Sequence, residues 1–162
     1  MIKISIVTIT LNDAETIEQT IKSVLSQNYI NLEYIVIDGG STDDTLKIIN
    51  KYKDKFAYFE SSPDKGIYDA MNKGAKKASG DLIGFVNAGD FIYENTLNNM
   101  NKVFSKQKSN FFFSVADTDY VDKHGNKIAK KICRSTDQIL KRKYLEMPTN
   151  HLGMFVPLKV FK

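Results

Sequence analysis

The sequence contains almost no cysteine, and it has no long apolar run. It has one cysteine, Cys133, in 162 residues, which excludes an internal disulfide framework and a multi-cysteine metal site. A lone thiol fits a reducing compartment, so we expect a cytoplasmic protein. The apolar residues of segment 2–11 alternate with polar ones, as in a strand, and do not form the unbroken core of a signal peptide.

Two common nucleotide-binding fingerprints are also absent. There is no glycine-lysine loop of the Walker type, and no Gly-x-Gly-x-x-Gly follows the first predicted strand. Aromatic and basic residues do not interleave as they do in proteins that stack bases, which argues against nucleic acid as a partner. The formal net charge is +4, and basic clusters lie at 102–108, 130–131 and 141–143. They either meet phosphate or an anionic membrane surface, or form an ordinary solvated face.

The order of periodic segments predicts an α/β fold. No linker or repeat divides the chain, whose length suits one domain. Strand and helix periods alternate in the first half, which predicts a mainly parallel central sheet flanked by helices. The predicted strands cover 2–10, 32–37, 56–59 and 82–86.

The helices of the first half are predicted from apolar stripes and from capping residues. Asn12 or Asp13 is expected to cap the first helix and Ser41 the second. The inward-facing residues are expected to be Ile17, Ile21, Val24 and Leu25 in the first helix, Leu46, Ile49 and Tyr52 in the second, and Ile67, Met71 and Ala75 in the third.

Beyond Asp90 the pattern becomes mixed or antiparallel. The sequence predicts, in order, a helix at 94–104, a strand at 111–116, a hairpin turning at 124–126, a short helix at 136–142 and a strand at 153–156.

Polar residues follow two of the predicted strands. Asp38 ends the second strand and opens the turn DGGSTD, and Asp90 ends the segment NAGD after the fourth. Because ligands of parallel α/β sheets bind outside the carboxyl ends of the strands, both carboxylates are expected at one edge. Asp90 is the candidate ligand of a Mg²⁺-like cation, which needs only one or two protein carboxylates. Alternatively, the Asp38 segment is an ordinary turn and Asp90 caps a helix.

A third loop, at 61–66, precedes the third predicted helix. Lys65 near that helix N-terminus could hold an anion, although Pro63 and Asp64 are also usual turn residues.

Four segments taken together resemble glycosyltransferase family 2. They are ISIVTITLN at 4–12, DGGSTD at 38–43, PDKGIYDAMNKG at 63–74 and FVNAGD at 85–90, with a looser likeness at 150–156. The resemblance implies a GT-A fold of Rossmann-like type, a nucleotide-diphosphate sugar donor, and an inverting transfer assisted by Mn²⁺ or Mg²⁺.

Site residues are carried over from the family segment by segment. The resemblance implies nucleotide-sugar contacts from Thr8, Thr10, Asn12, Asp38, Gly40, Ser41, Asp64, Lys65, Asn87, Ala88 and Gly89, and a metal contact from Asp90. The Asp38 carboxylate would accept the N–H of a uracil-like base. Asn87 and Gly89 stand where the family usually has acids, which leaves Asp90 as the one acid of that motif.

The resemblance also bounds the expected domain. We expect one catalytic domain at 1–162, with the nucleotide-sugar part at 1–104 and the start of the acceptor side at 105–162. The family's general base is an Asp of a later motif without a match before Lys162, so we expect a truncated domain. His151 could touch diphosphate or acceptor, or be structural.

The predicted function is transfer of a sugar, from a UDP-sugar, to a glycan or lipid-linked acceptor in cell-surface polysaccharide or glycan assembly. Peripheral association with the inner face of the membrane is compatible with such an acceptor. One alternative is a nucleotide-sugar-binding module without transfer activity. Another is a sugar nucleotidyltransferase, which lacks support because no glycine-rich phosphate loop with Arg and Lys follows the first strand.

Overall fold

The computed structural model describes residues 1–106, 114–122, 124–132 and 153–161. Several sequence predictions lie outside these residues: the helix at 136–142, the first part of the strand at 111–116, and the surroundings of Cys133 and His151.

The described residues form eight strands and five helices. The strands are β1 Ile4–Thr10, β2 Leu32–Asp38, β3 Tyr58–Ser61, β4 Leu82–Phe85, β5 Ser114–Val115, β6 Thr118–Val121, β7 Lys127–Lys131 and β8 Met154–Pro157. The helices are α1 Ile17–Leu25, α2 Thr45–Asn50, α3 Ile67–Lys77, α4 Thr96–Ser105 and α5 Leu158–Phe161. A short 3₁₀ turn at Lys53–Lys55 leads into β3.

Six strands form one mixed sheet in the order β3-β2-β1-β4-β8-β5. The first four in that order are parallel to one another, whereas β8 runs antiparallel to both β4 and β5. The carboxyl ends of β1, β2, β3 and β4 therefore share one edge with the start of β8. The strands β6 and β7 pair separately as the predicted hairpin.

Helices cover both faces of the parallel strands. Ile4 and Ile6 of β1 pack in one core cluster with residues of α1 and α2, and Val7 and Ile9 pack in a second cluster with residues of α3. The alternation of side chains along a strand explains this split. Where α3 crosses β1 it presents Gly74, because a Cβ at this position would overlap the Val7 side chain.

Three local predictions are wrong. The helix α1 begins at Ile17 and α2 at Thr45, and their N-cap residues are Thr16 and Asp44, so Asn12, Asp13 and Ser41 are not caps. Asn12 and Ser41 instead bind neighbouring segments, and the carboxylate of Asp13 accepts the hydroxyl of Thr16 at 3.2 Å. The side chain of Ile67 is 47% exposed, because the first turn of α3 lies at the sheet edge, beyond the strand ends that cover Met71 and Ala75.

Candidate functional site at the carboxyl edge of the sheet

Asp38 is a buried hydrogen-bond centre at the end of β2. Its side chain is 0% exposed. One carboxylate oxygen, Oδ2, accepts the N–H of Gly40 and of Ser41, each at 3.0 Å, and the hydroxyl of Ser61 at 2.6 Å. The hydroxyl of Ser41 donates to the other oxygen, Oδ1. Four donors thus compensate the charge, and the carboxylate braces the turn 38–43.

The same residue fixes the loop 61–66 to that turn. Besides the hydroxyl of Ser61, the N–H of Ser62 donates to the carbonyl of Asp38 at 3.0 Å. Gly40 has a φ of +88°, and a Cβ there would lie 3.3 Å from the nitrogen of Pro63. Only glycine adopts this backbone without strain and allows the loop to approach so closely.

A lysine of α3 holds the other side of the loop 61–66. The Lys73 ammonium donates to the hydroxyl of Ser62 at 3.1 Å and to the carbonyl of Pro63 at 3.0 Å. Sequence reasoning missed this contact, although Lys73 lies inside the family-like segment 63–74.

Asn12 joins the end of β1 to the turn 38–43. Its N–H donates to the hydroxyl of Ser41 at 2.8 Å, and its side-chain oxygen accepts the N–H of Thr42 at 2.8 Å. The N–H of Asp13 donates to the hydroxyl of Thr45 at 2.8 Å. Asn12 and Ser41, which resemble helix caps in the sequence, thus make tertiary contacts instead.

The two threonines of β1 have different surroundings. Thr8 is fully buried, and its hydroxyl hydrogen-bonds the hydroxyl of Tyr34 at 3.0 Å. Burial raises the pKa of Tyr34, so this hydroxyl stays protonated. Thr10, at the strand end, is 6% exposed, and its hydroxyl has no hydrogen-bond partner among the described residues. A buried unsatisfied hydroxyl at a sheet edge is a candidate ligand contact.

Asp64 and Lys65 lie at the rim of the site. Asp64 is half-buried, and its Oδ1 accepts the N–H of Gly66 at 2.8 Å. Lys65 is exposed, and its backbone N–H donates to a carboxylate oxygen of Asp69 at 3.1 Å. Both side chains therefore reach solvent at the carboxyl edge of the sheet, whereas Asp38 at the same edge is buried.

The segment 87–90 adjoins these loops through β1. The N–H of Ala88 donates to the carbonyl of Ile9 at 3.0 Å, and the N–H of Asp90 to the carbonyl of Asn87 at 3.0 Å. The hydroxyl of Thr20 accepts the N–H of Gly89 at 3.2 Å and donates to the carbonyl of Asp90 at 2.7 Å. The segment is therefore held from both β1 and α1.

Two polar residues of α1 and one just after it support this side of the site, and sequence reasoning missed all three. Besides Thr20, the hydroxyl of Ser23 accepts the N–H of Ile92, and the amide of Gln27 binds the carbonyl of Tyr93 and the N–H of Leu97. Thr20 and Gln27 are buried. Their helical spacing beside the apolar stripe was an available signal.

A cavity of about 230 Å³ lies beside this segment. Its lining includes Asp90, Tyr93, Asp117, Asp119, Tyr120 and Phe155. The hydroxyl of Tyr93 donates to Asp119 at 3.1 Å, and the ammonium groups of Lys127 and Lys130 lie 2.7 Å from Asp119 and Asp117. The hydrogen bond from Lys127 lowers the pKa of Asp119.

Asp90 is the acid that could hold a cation at this edge. In the described part of the chain, no three His, Cys, Asp or Glu residues gather in a metal-binding group. A Mg²⁺-like ion needs one or two protein carboxylates when substrate phosphates and water complete its shell. The residues present therefore fit a cation that arrives with a diphosphate, and not a preformed protein cage.

Most of the predicted site residues thus come together at one edge. Contacts join the strand end at 10–12, the turn 38–43 and the loop 61–66, and the segment 87–90 lies next to them across β1. Thr8 lies in the core instead of at the edge. His151 lies outside the described residues. The ligand-contact roles of all these residues stay predictions.

Within the described residues, no helix combines the length and apolar character needed to cross a bilayer.

Related proteins share both the sequence and the fold. An uncharacterized glycosyltransferase of Mycobacterium tuberculosis is 47% identical over 88 residues, which are 54% of this chain and 34% of that protein. The Escherichia coli enzyme WfaP, named a UDP-Glc:alpha-D-GlcNAc-diphosphoundecaprenol beta-1,3-glucosyltransferase, is 36% identical over 68% of this chain and 45% of its own length.

Among solved structures, S. aureus TarS 1-349 in complex with UDP-GlcNAc matches with a TM-score of 0.59 and 28% identity, over 64% of this chain and 31% of that chain. Our chain thus spans less than half the length of each of these proteins. The sequence model described as Glycosyl transferase family 2 matches residues 5–158. The mixed sheet has the GT-A architecture expected for that family, and the chain belongs to glycosyl transferase family 2.

Proposed function

We propose that this chain binds a UDP-sugar at the carboxyl edge of its sheet and forms the donor-binding part of an inverting glycosyltransferase. The observation that carries the proposal is that the turn 38–43, the loop 61–66 and the segment 87–90 meet at one edge. Ligands of open α/β sheets bind at such an edge. The turn and the loop are locked to each other by Asp38, so the site is largely formed before a ligand arrives.

The relatives support a uridine nucleotide and a lipid-linked acceptor. TarS was solved with UDP-GlcNAc, and the name of WfaP specifies UDP-Glc as donor and a diphosphoundecaprenol-linked sugar as acceptor. By extension, we propose transfer to a glycan or lipid-linked acceptor in cell-surface polysaccharide or glycan assembly. An acceptor of this kind would place the protein at the cytoplasmic face of the membrane.

The residues at the edge fit distinct parts of a nucleotide-sugar. In this proposal Thr10, Asn12 and the loop 61–66 contact the nucleoside, Lys65 approaches the anion, and Asp90 holds Mn²⁺ or Mg²⁺. Such a cation neutralises the charge that builds on the diphosphate leaving group. The cavity beside Asp90 is the proposed place of the acceptor, since hydroxyl, carboxylate and aromatic groups line it.

Calorimetric titration of UDP with Mn²⁺, with Mg²⁺ and with a chelator tests this proposal. We expect cation-dependent binding of UDP, and tighter binding of UDP than of GDP. Asp90→Asn should abolish the enhancement by Mn²⁺ and leave the binding of uridine itself little changed. Asp54→Asn, at an exposed carboxylate in the 3₁₀ turn before β3, is the matched control. Equal binding of UDP in chelator would contradict the role of the cation.

A nucleotide-sugar-binding module without transfer activity is the second candidate. One feature favours it: Asn87 and Gly89 stand where the family usually has acids. Donor consumption with a panel of acceptors separates the two functions. Donor binding without consumption by the product of the full reading frame would support the module.

A further inference from the structure

We infer that Asp64, and not Asp38, selects the nucleobase: its Oδ2, lying over Gly39, accepts the single imide N–H of uracil. The inference rests on the proposed function and names the specificity-determining residue of that site. It follows from the surroundings of the two carboxylates and from the space above one glycine.

Asp38 is not available to a base. Its side chain is 0% exposed, and both of its carboxylate oxygens already accept hydrogen bonds from Ser41, with Gly40 and Ser61 as further donors. Reaching a ligand would require breaking the contacts that hold the turn and the loop together. Loss of such buried charge-assisted bonds is unfavourable, so the carboxylate stays in place when a ligand binds.

Asp64 occupies the position that a side chain at residue 39 would fill. A Cβ placed on Gly39 would lie 2.6 Å from Oδ2 of Asp64 and 3.5 Å from Cδ1 of Leu11. Gly39 is not among the glycines with positive φ, so its backbone does not require glycine. The missing side chain instead makes room for the carboxylate of Asp64, which comes from the next loop.

The hydrogen bonding of Asp64 favours a ligand with one donor. Oδ1 accepts the N–H of Gly66, whereas no donor among the described residues is bound to Oδ2. Uracil presents one N–H between two carbonyls and suits a single acceptor oxygen. Guanine presents two adjacent donors that would engage both oxygens, and cytosine presents a lone pair at N3 that a carboxylate repels.

The surface next to Oδ2 suits the face of a base. Leu11, which follows β1, is 53% exposed and contributes the nearest apolar atom to the space above Gly39. An apolar contact beside one oriented acceptor is the usual composition of a small-molecule site, in which few polar groups fix the orientation.

Titration of Asp64→Asn with UDP, CDP and GDP tests the assignment. We expect the wild-type chain to bind UDP more tightly than CDP or GDP. The variant should bind UDP about 10- to 100-fold more weakly, because a charge-assisted hydrogen bond is lost. Its preference for UDP over CDP should shrink or reverse, since the amide can donate to N3 of cytosine. Asp54→Asn makes the same change of charge before β3 and should alter neither affinity.

Gly39→Ala gives an independent test of the space above that glycine. The methyl group would displace only the flexible end of Asp64, so we expect the variant to fold and to bind UDP about tenfold more weakly. In an Asp64→Ala background the same change should cause no further loss. Additive effects would overturn the inference.

The outcomes separate the inference from the proposed function. Suppose that the wild-type chain binds UDP, and that Asp64→Asn binds UDP with the wild-type affinity and the wild-type preference over CDP. The base assignment is then wrong, while the proposed function stands. If the wild-type chain binds no nucleoside diphosphate with Mn²⁺, both are wrong.

Discussion

At the residue scale, two buried carboxylates brace opposite edges of the parallel sheet. Asp38 joins the turn and the loop at the carboxyl edge. Glu33, near the start of β2, accepts hydrogen bonds from Ser5 at 2.6 Å and from the N–H of Ser79 at 2.7 Å, and it pairs with the ammonium of Lys3. Each carboxylate therefore ties together segments that are distant in sequence.

We expect Asp38→Ala to destabilise the fold, because it leaves several buried donors without an acceptor. The free energy of unfolding should fall by about 3 to 5 kcal/mol, because each buried donor left without an acceptor costs about 1 to 3 kcal/mol. Asp64→Ala, at the rim of the same edge, should change stability by less than about 1 kcal/mol. Chemical denaturation of both variants measures the difference. Equal stability of the two would contradict the bracing role of Asp38.

Glu33 should make stability depend on pH in the acid range. Burial alone would raise its pKa, but hydrogen bonds from Lys3, Ser5 and Ser79 outweigh this effect and lower the pKa to about 2 from the usual 4.5. The stabilisation is thus fully present above about pH 4.5 and is lost as the pH falls toward 2. Since the Lys3 end is exposed to solvent, we expect about 1 to 3 kcal/mol.

Denaturation of wild type and Glu33→Gln at pH 7 and pH 3 tests this expectation. The difference in stability between the two proteins should be largest at pH 7, smaller at pH 3, and lost only as the pH approaches 2. Glu15→Gln, at an exposed carboxylate before α1, is the control and should follow wild type at both values. A constant difference between wild type and Glu33→Gln would show that Glu33 does not titrate as described.

At the element scale, α1 does more than cover the sheet. Its apolar stripe of Ile17, Ile21 and Val24 is buried against the strands. Thr20 and Ser23 of this helix, together with Gln27 just after its end, hold the segment that runs from Gly89 to Leu97, which includes Asp90. One face of the helix therefore packs in the core while its polar residues fix the position of Asp90, the proposed cation ligand.

We expect Thr20→Val to affect cation-dependent binding more than nucleoside binding. The change keeps the shape of the side chain and removes the hydroxyl that contacts the carbonyl of Asp90 and the N–H of Gly89. Stability should fall by about 1 to 3 kcal/mol, because two buried backbone groups lose a partner. The enhancement of UDP binding by Mn²⁺ should decrease, while uridine affinity changes little. Thr20→Ser, which keeps the hydroxyl, should restore the enhancement.

At the scale of the whole molecule, the proposed donor site and the proposed acceptor site lie on different parts of the sheet. The turn 38–43 and the loop 61–66 follow β2 and β3, whereas the cavity lies between the segment after β4, the hairpin and β8. Asp117 and Asp119 border this cavity and form ion pairs with lysines of β7. Paired carboxylates of this kind suit a structural role.

We expect Asp119 to be a poor general base. A base that removes a proton from an acceptor hydroxyl works best with a pKa near the operating pH, and the hydrogen bond from Lys127 lowers the pKa of Asp119. In the product of the full reading frame, Asp119→Asn should therefore reduce turnover only a few-fold. A loss of about 10² to 10⁴ with unchanged UDP affinity would instead identify Asp119 as the base.

Local patterns in the sequence were enough to predict the order and type of the elements in the parallel part of the sheet. Residues 2–10, 32–37 and 82–86 alternate or run apolar as buried strands do, and the observed β1, β2 and β4 lie within one or two residues of the predictions. The hairpin around Gly125 was equally predictable. These features depend on local periodicity and turn residues, which neighbours in sequence specify.

The roles of the polar residues, in contrast, depend on how the loops pack against one another. Ser41 and Asn12 resemble helix caps, yet their partners are Asp38 and Thr42, which chain packing brings close. The contact between Asp38 and Ser61 spans 23 positions, and Asp64 lies over Gly39 because their two loops pack together. Hydrogen-bond partners depend on distances in space, which periodicity along the chain does not encode.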